Sequence, residues 1–192
     1  MTLERILEFS KTLLQKAAQL GDNVIDATCG NGNDTLFLAN LVGGRGHVYA
    51  FDIQPEAIQA TKNKLIASNI DNNVTVINDG HENVTRYIQC KISAAIFNLG
   101  YLPGSDQTIT THANTTWKAI TNILPLLKIG GIIILVIYHG HEAGKHERTE
   151  LEHLITTLDS TTTQTLRYEF LNKQSAPYII AIEKTKNMAH LS

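Results

Sequence analysis

The sequence has little cysteine, little net charge and no long apolar run. Its two cysteines, Cys29 and Cys90, fit neither a disulfide framework nor metal-ligand spacing, so a reducing cytoplasm is the expected compartment. The longest apolar run, GGIIILVIY, has the length of a buried strand and is too short to span a membrane. The N-terminal segment mixes acids and bases along a helical pattern, which is not typical of a signal peptide.

The charge balance limits the classes of partner. A net charge of -2 over 192 residues argues against tight, sequence-blind binding to long duplexes, but it leaves RNA open as a partner. No internal repeat, low-complexity segment or linker divides the chain. The length suits one domain with a full-sized core. We therefore expect a single domain over residues 1–192 that begins with a helix over residues 1–20.

Strand-like and helix-like patterns alternate along the chain. Apolar runs typical of buried strands are followed by segments with helical spacing, which predicts a parallel sheet with right-handed crossovers. A short turn joins the last two predicted strands, so they should pair as a hairpin. The expected fold is α/β, with a doubly wound, mostly parallel seven-stranded sheet and a C-terminal antiparallel hairpin. The predicted strands are NVIDAT, HVYAFDI, NVTVIND, AAIFNLG, GGIIILVIYHGH, TQTLRYEFLN and PYIIAIEK.

A glycine-rich turn follows the first predicted strand. In DATCGNGNDT, Gly30 and Gly32 lie between a strand and a helix. Glycines at such a position let the backbone approach a ligand, and the helix N-terminus attracts polar or anionic groups. Asp52 ends the second strand about twenty residues further on, where a carboxylate can accept hydrogen bonds from both hydroxyls of a ribose. The turn and Asp52 together predict a site for a nucleoside-containing cofactor.

The residues around this turn favour one cofactor over another. A dinucleotide-binding turn has a third glycine, and Thr35 stands in its place. Asp26 and Asp34 would repel a pyrophosphate, but they suit a sulfonium and an amino-acid ammonium. S-adenosylmethionine is therefore favoured over a nicotinamide dinucleotide. Asp79, after the third strand, is placed to meet an adenine edge with His81 beside it, although ordinary loop capping would also explain both residues.

Four blocks of sequence carry a family resemblance: DATCGNGNDTLFLA, VYAFDIQPEAI, NLGYLPGSD and GGIIILVIYHGH. They resemble class I S-adenosylmethionine-dependent methyltransferases. More narrowly, they resemble a small bacterial family labelled rRNA methylase, whose members are assigned as tRNA 5-aminomethyl-2-thiouridine methyltransferases. The resemblance covers nearly the whole chain and implies one domain with the Rossmann-like methyltransferase fold. Thr28 replaces the first glycine of the class motif, a departure that the narrower family shares.

The resemblance implies methylation of a primary amine. The substrate would be the 5-aminomethyl group of the wobble 2-thiouridine in tRNA, with S-adenosyl-L-methionine as cofactor and S-adenosyl-L-homocysteine as product. An anticodon loop is single-stranded, so its bases can enter a pocket at little unstacking cost. The transfer needs no metal. The residues expected to bind the cofactor are Asp26, Thr28, Gly30, Asn31, Gly32, Asn33, Asp34, Asp52, Gln54, Asp79, Gly80, His81 and Asn98.

Four residues are candidates for the catalytic step. Asn98 stands where class I amino-methyltransferases place a polar residue beside the methyl group, and its amide oxygen can accept a hydrogen bond from the amine. That oxygen is too weak a base to deprotonate an ammonium. Tyr101 can stack on the base or close the pocket, and His139 or His141 can relay the proton. Each residue also has a purely structural explanation: Asn98 can cap the strand end, Tyr101 can pack in the core, and His139 and His141 can belong to a solvated loop.

Other interpretations stay open from the sequence alone. The same cofactor can serve an rRNA base or a small metabolite as substrate. A non-catalytic RNA-binding module would be expected to lose the acids of the cofactor site, yet Asp26, Asp52 and Asp79 are all present. A nicotinamide oxidoreductase is disfavoured by the missing glycine. Cys29 is interpreted as a packing residue, because a nucleophilic cysteine normally lies on the substrate side.

Two further segments bear on partners. The helix predicted from Thr110 to Leu127, which carries Trp117, is interpreted as core or as the surface of a homodimer rather than as a base-stacking platform. Lys145, His146 and Arg148 can meet tRNA phosphates, although a helix start with mixed charges is usually solvated. No membrane partner is expected.

Overall fold

The computed structural model describes residues 2–70, 72–100, 112–138, 142–173 and 176–187, with the backbone alone for residues 142–147. Helical and extended segments alternate along the described chain, as the sequence predicts. They are α1 (Ile6–Ala17), β1 (Asn23–Asp26), α2 (Asn33–Val42), β2 (His47–Asp52), α3 (Pro55–Ala67), β3 (Val74–Asn78), a 3₁₀ helix (His81–Arg86), β4 (Ile92–Leu99), α4 (Ala113–Ile123), β5 (Leu127–Ile137), α5 (Glu142–Thr156), β6 (Thr163–Tyr168) and β7 (Tyr178–Lys184).

Within the described residues, seven strands form one sheet in the order β3-β2-β1-β4-β5-β7-β6. Neighbouring strands among the first five pair in parallel: β1 with β2 and β4, β2 with β3, and β4 with β5. β7 pairs antiparallel with both β5 and β6. The strand order reverses between β1 and β4, and open α/β sheets bind ligands at the carboxyl ends of strands at such a point. The predicted doubly wound sheet with a C-terminal antiparallel hairpin is confirmed.

The central strands are buried on both faces of the sheet, as their continuous apolar sequences predict. Side chains along β4 alternate between two hydrophobic clusters. Phe97 packs in a cluster that includes residues of α4 and α5. Ile96 packs in a second cluster that includes Leu14 of α1 and Leu38 of α2. Trp117 is partly buried against the first of these clusters, as a core position would be.

Some predicted boundaries differ from the structure. β5 begins at Leu127 rather than Gly130, and the helix predicted to end at Leu127 ends at Ile123. Between β4 and β5 the pairing shifts from Ile92↔Leu127 to Ala94↔Ile132, so several residues of β5 bulge out of the ladder. This bulge interrupts the apolar pattern and conceals the start of the strand. The helix predicted over residues 1–20 is observed with the shorter bounds of α1, and the single-domain assignment stays a prediction.

A buried lysine joins β7 to the turn between α4 and β5. Lys184 is only 2% exposed. Its ammonium group donates to the carbonyl oxygens of Leu124, Pro125 and Leu127 at 3.1, 3.3 and 2.9 Å. A buried ammonium is tolerated when its donors are satisfied, and these carbonyls satisfy them. The C-terminal hairpin is thereby fixed to the rest of the sheet.

Lys184→Met should lower the free energy of unfolding by about 1–3 kcal/mol, because the buried carbonyl oxygens lose their shared donor. Equilibrium urea unfolding measures this change. Lys186→Met is the matched control, since Lys186 is exposed, and it should change stability by less than about 0.5 kcal/mol. Equal unfolding midpoints for the two variants would contradict the role of Lys184.

Candidate active site

The turn between β1 and α2 is built on two glycines. Gly30 has φ +49° and Gly32 has φ +73°, and residues with a Cβ rarely adopt such values. A Cβ added to Gly32 would lie 2.9 Å from the Cα of Thr61 in α3. The Thr61 hydroxyl in turn donates to the carbonyl oxygen of Gly30 at 3.1 Å. Close packing against α3 therefore requires glycine in this turn.

Asp52, at the end of β2, holds the same turn. The amide of Gly30 donates to its Oδ2 and the amide of Gln54 donates to its Oδ1, both at 3.0 Å. The Asp52 side chain is partly exposed, and each carboxylate oxygen retains a second lone pair. The carboxylate can therefore still accept hydrogen bonds from the hydroxyls of a ligand. The structure brings together Gly30, Asp52 and Gln54, and their contact with a cofactor stays a prediction.

Asp26 is fully buried at the end of β1. Its carboxylate accepts hydrogen bonds from the Thr35 hydroxyl at 2.6 Å and from the Thr28 amide at 3.3 Å. Burial, reinforced by the negative charge of Asp34, raises the pKa of Asp26 to about 7. Thr35, which stands in place of the third glycine, is thus the partner of the first acid. The Asp26 side chain organises the turn from within the core.

Asn98, near the end of β4, lies beside this turn. Its backbone amide donates to the Thr28 hydroxyl at 2.7 Å, and its side-chain Nδ2 donates to Oδ2 of Asp34 at 2.8 Å. A carboxylate only accepts hydrogen bonds, so Nδ2 rather than Oδ1 faces Asp34. Oδ1 is left to accept a hydrogen bond from another group. The contact joins two predicted site residues that are 64 positions apart in the sequence.

Asp79, which follows β3, is held by its own segment. It accepts hydrogen bonds from the Tyr87 hydroxyl at 2.8 Å, the Asn83 side chain at 2.9 Å and the Gly80 amide at 2.8 Å. The Tyr87 hydrogen bond is the main cause that lowers the pKa of Asp79. Loop capping therefore accounts for its contacts within the chain, and contact with an adenine stays a prediction.

His81 is buried rather than solvated. Its Nδ1 lies 3.1 Å from the carbonyl oxygen of Ala27, and its ring packs edge-on against Phe97 with 5.3 Å between centroids. Burial lowers the pKa of His81, which favours the neutral ring with its proton on Nδ1. Nε2 is buried and has no hydrogen-bond partner in the described part of the chain. His81 thus packs between the ends of β1 and β4.

The other predicted residues divide into two groups. Asn31 and Asn33 are exposed, and the Lys64 ammonium group donates to Oδ1 of Asn33. Three predicted catalytic residues lie outside the described residues: Tyr101, His139 and His141. Their proposed contributions stay predictions.

Tyr138 is a candidate site residue that was not predicted from the sequence. It follows β5 directly and is 42% exposed. A Cβ added to Gly100 would lie 3.6 Å from the Tyr138 Cβ, so the residue flanks the end of β4. Burial, with a contribution from the negative charge of Asp34, raises the pKa of Tyr138. Its place after a parallel strand, next to His139, was the available signal.

Among the described residues, no group of three or more His, Cys, Asp and Glu side chains is arranged to bind a metal ion. No helix in the same ranges is long and apolar enough to cross a membrane.

Cys29 is buried against Ala50 and Ile58, and burial raises the pKa of its thiol. This environment is that of a packing residue.

Known proteins resemble this chain over most of its length. A family model described as "Putative rRNA methylase" matches residues 48–183. The tRNA (mnm(5)s(2)U34)-methyltransferase, chloroplastic, of Arabidopsis thaliana is 34% identical over an alignment of 194 positions, which covers 96% of this chain and 71% of the plant protein.

Solved structures agree with this relationship. A "putative rRNA-methylase" from Clostridium thermocellum superimposes with a TM-score of 0.93 at 42% identity, covering 96% of this chain and 100% of that chain. A "putative methyltransferase" from Streptococcus mutans in complex with SAH superimposes with a TM-score of 0.87 at 38% identity, covering 95% of this chain and 99% of that chain.

Asp26→Asn should stabilise the ligand-free protein more at pH 8 than at pH 5. The folded-state pKa of about 7 lies above the ordinary value of 3.8, so between these values the folded protein binds more protons than the unfolded chain. Wild-type stability therefore falls as the pH rises from 5 to 8, by about 2–3 kcal/mol relative to the variant.

Urea unfolding of both proteins across this pH range measures the difference. The amide can replace the carboxyl group sterically, because its oxygen can accept from Thr28 and its nitrogen can donate to the Thr35 hydroxyl. Stability curves of wild type and variant that run parallel from pH 5 to pH 8 would contradict the raised pKa.

Proposed function

The chain belongs to the rRNA methylase family of S-adenosylmethionine-dependent methyltransferases, and we propose that it N-methylates the 5-aminomethyl group of the wobble 2-thiouridine in tRNA. The product is 5-methylaminomethyl-2-thiouridine. The observation that carries the proposal is the 34% identity, over 96% of this chain, to a plant enzyme named for that nucleoside in tRNA. We place the reaction in the cytoplasm, with the anticodon loop of tRNA as substrate.

The β1–α2 turn and the end of β2 are the proposed cofactor site. Gly32 leaves no room for a Cβ, and glycines of this kind let the backbone approach a nucleoside. Asp52 is partly exposed and retains lone pairs for the ribose hydroxyls. The related Streptococcus mutans structure, which is in complex with SAH, supports a cofactor of this class.

Residues of the chain act on the amine. The bound cofactor supplies a methyl group on a sulfonium. Oδ1 of Asn98 accepts a hydrogen bond from the amine, which directs the nitrogen lone pair at that methyl. A simple alkylamine has a pKa of about 10 and arrives mostly as ammonium, so a base must take its proton. We assign this proton transfer to His139 or His141. We assign the stacking on the substrate nucleobase to Tyr101.

Mass spectrometry of nucleosides tests the substrate. Purified protein and S-adenosylmethionine are incubated with tRNA from a strain that lacks the gene, and with rRNA from the same strain as control. We expect the 5-aminomethyl-2-thiouridine to be converted to the methylaminomethyl form. We expect the rRNA to gain no methyl group. Methyl transfer to rRNA, or none to this tRNA nucleoside, would contradict the proposal.

Asp52→Ala should weaken S-adenosylmethionine binding by at least about tenfold, because the loss of even one hydrogen bond to a charged acceptor costs about 1.5–3 kcal/mol. Isothermal titration calorimetry measures the dissociation constant. Glu56→Ala removes a nearby exposed carboxylate on α3 and is the matched control, with an expected change below about twofold. Unchanged affinity in Asp52→Ala would remove Asp52 from the cofactor site.

A further inference from the structure

The hydrogen bond between Asn98 and Asp34 joins two rigid elements. Asn98 pairs with Val136 in the sheet, and its backbone amide is bound to Thr28. Asp34 lies in the first turn of α2, next to Thr35, which is bound to the buried Asp26. Neither backbone can shift without breaking these contacts. The 2.8 Å distance from Nδ2 to Oδ2 is therefore a built feature of the fold.

A primary carboxamide has two ends of nearly equal size and opposite hydrogen-bonding character. Nδ2 donates and Oδ1 accepts. With Oδ1 toward Asp34, two acceptors would face each other, so the carboxylate selects the opposite orientation. The Asn98 amide therefore presents its acceptor, and not its donor, to the group on its other side.

We propose that Asp34 is a positioning residue, which fixes the Asn98 amide so that Oδ1 faces the substrate amine. This inference rests on the proposed function, since it takes a primary amine as the partner of Oδ1. It differs from the role predicted for Asp34 from sequence, which is to bind the cofactor. A cofactor-binding residue acts on cofactor affinity, whereas an orienting residue acts on turnover and acts only through Asn98.

A double-mutant cycle separates these two roles. Asp34→Ala should lower kcat by about tenfold or more, and the calorimetric affinity for S-adenosylmethionine should stay within about threefold of wild type. Asn98→Ala should also lower kcat. If Asp34 acts through Asn98, the double variant should be no slower than Asn98→Ala, within about twofold.

A swap of the two side chains tests the direction of the hydrogen bond. Asn98→Asp alone brings two carboxylates together, and Asp34→Asn alone gives two amides, which can pair in either orientation. In the combined D34N/N98D variant, an amide again donates to a carboxylate, whose second oxygen can accept from the amine. We expect the combined variant to be about fivefold or more faster than either single variant.

The outcomes are distinguishable. Multiplicative effects in the cycle, or a loss of cofactor affinity with unchanged kcat in Asp34→Ala, would overturn the positioning role alone. A wild-type protein that leaves the aminomethyl nucleoside unmethylated would overturn the proposed function and this inference with it. Non-additive effects together with recovery in the swap would support the positioning role.

Discussion

The buried hydrogen bond from the Thr35 hydroxyl to the Asp26 carboxylate is the contact on which the geometry of the site depends. It is part of a closed circuit. Asp26 also accepts from the Thr28 amide, the Thr28 hydroxyl accepts from the Asn98 amide, and the Asn98 side chain donates to Asp34 next to Thr35. The circuit connects the ends of β1 and β4 with the first turn of α2. A change at any one contact therefore reaches the others.

Three acids near this circuit have different roles because their burial and their hydrogen-bond partners differ. Asp26 has no exposed surface, and burial raises its pKa to about 7. Asp34 is half-buried and bound to an amide nitrogen, and Asp52 is half-buried and bound to two backbone amides. One acid thus organises the turn, one is placed to orient a neighbouring side chain, and one keeps lone pairs for a ligand. Their residue type alone would not distinguish these roles.

Much of the fold could be predicted from the sequence, because alternating strand and helix patterns are local signals. The glycine turn and Asp52 could be predicted for the same reason, since their spacing follows from one strand–helix–strand unit. The contact of Asp34 with Asn98 could not, because it joins residues that are 64 positions apart and depends on the pairing of β1 with β4. The role of Thr61 and the burial of His81 likewise arise only from packing, and the bulge concealed the start of β5.

The position of β7 has a consequence for biosynthesis. β7 follows β6 in sequence but lies between β5 and β6 in the sheet. On the ribosome, β5 therefore keeps one edge unpaired until β7 has been translated, and the side chains of this strand are mostly apolar. Unpaired edges of apolar strands are sites of intermolecular pairing. The carbonyl groups that Lys184 satisfies must also wait for the same residues. A nascent chain that lacks β7 therefore exposes this edge of β5 to intermolecular pairing.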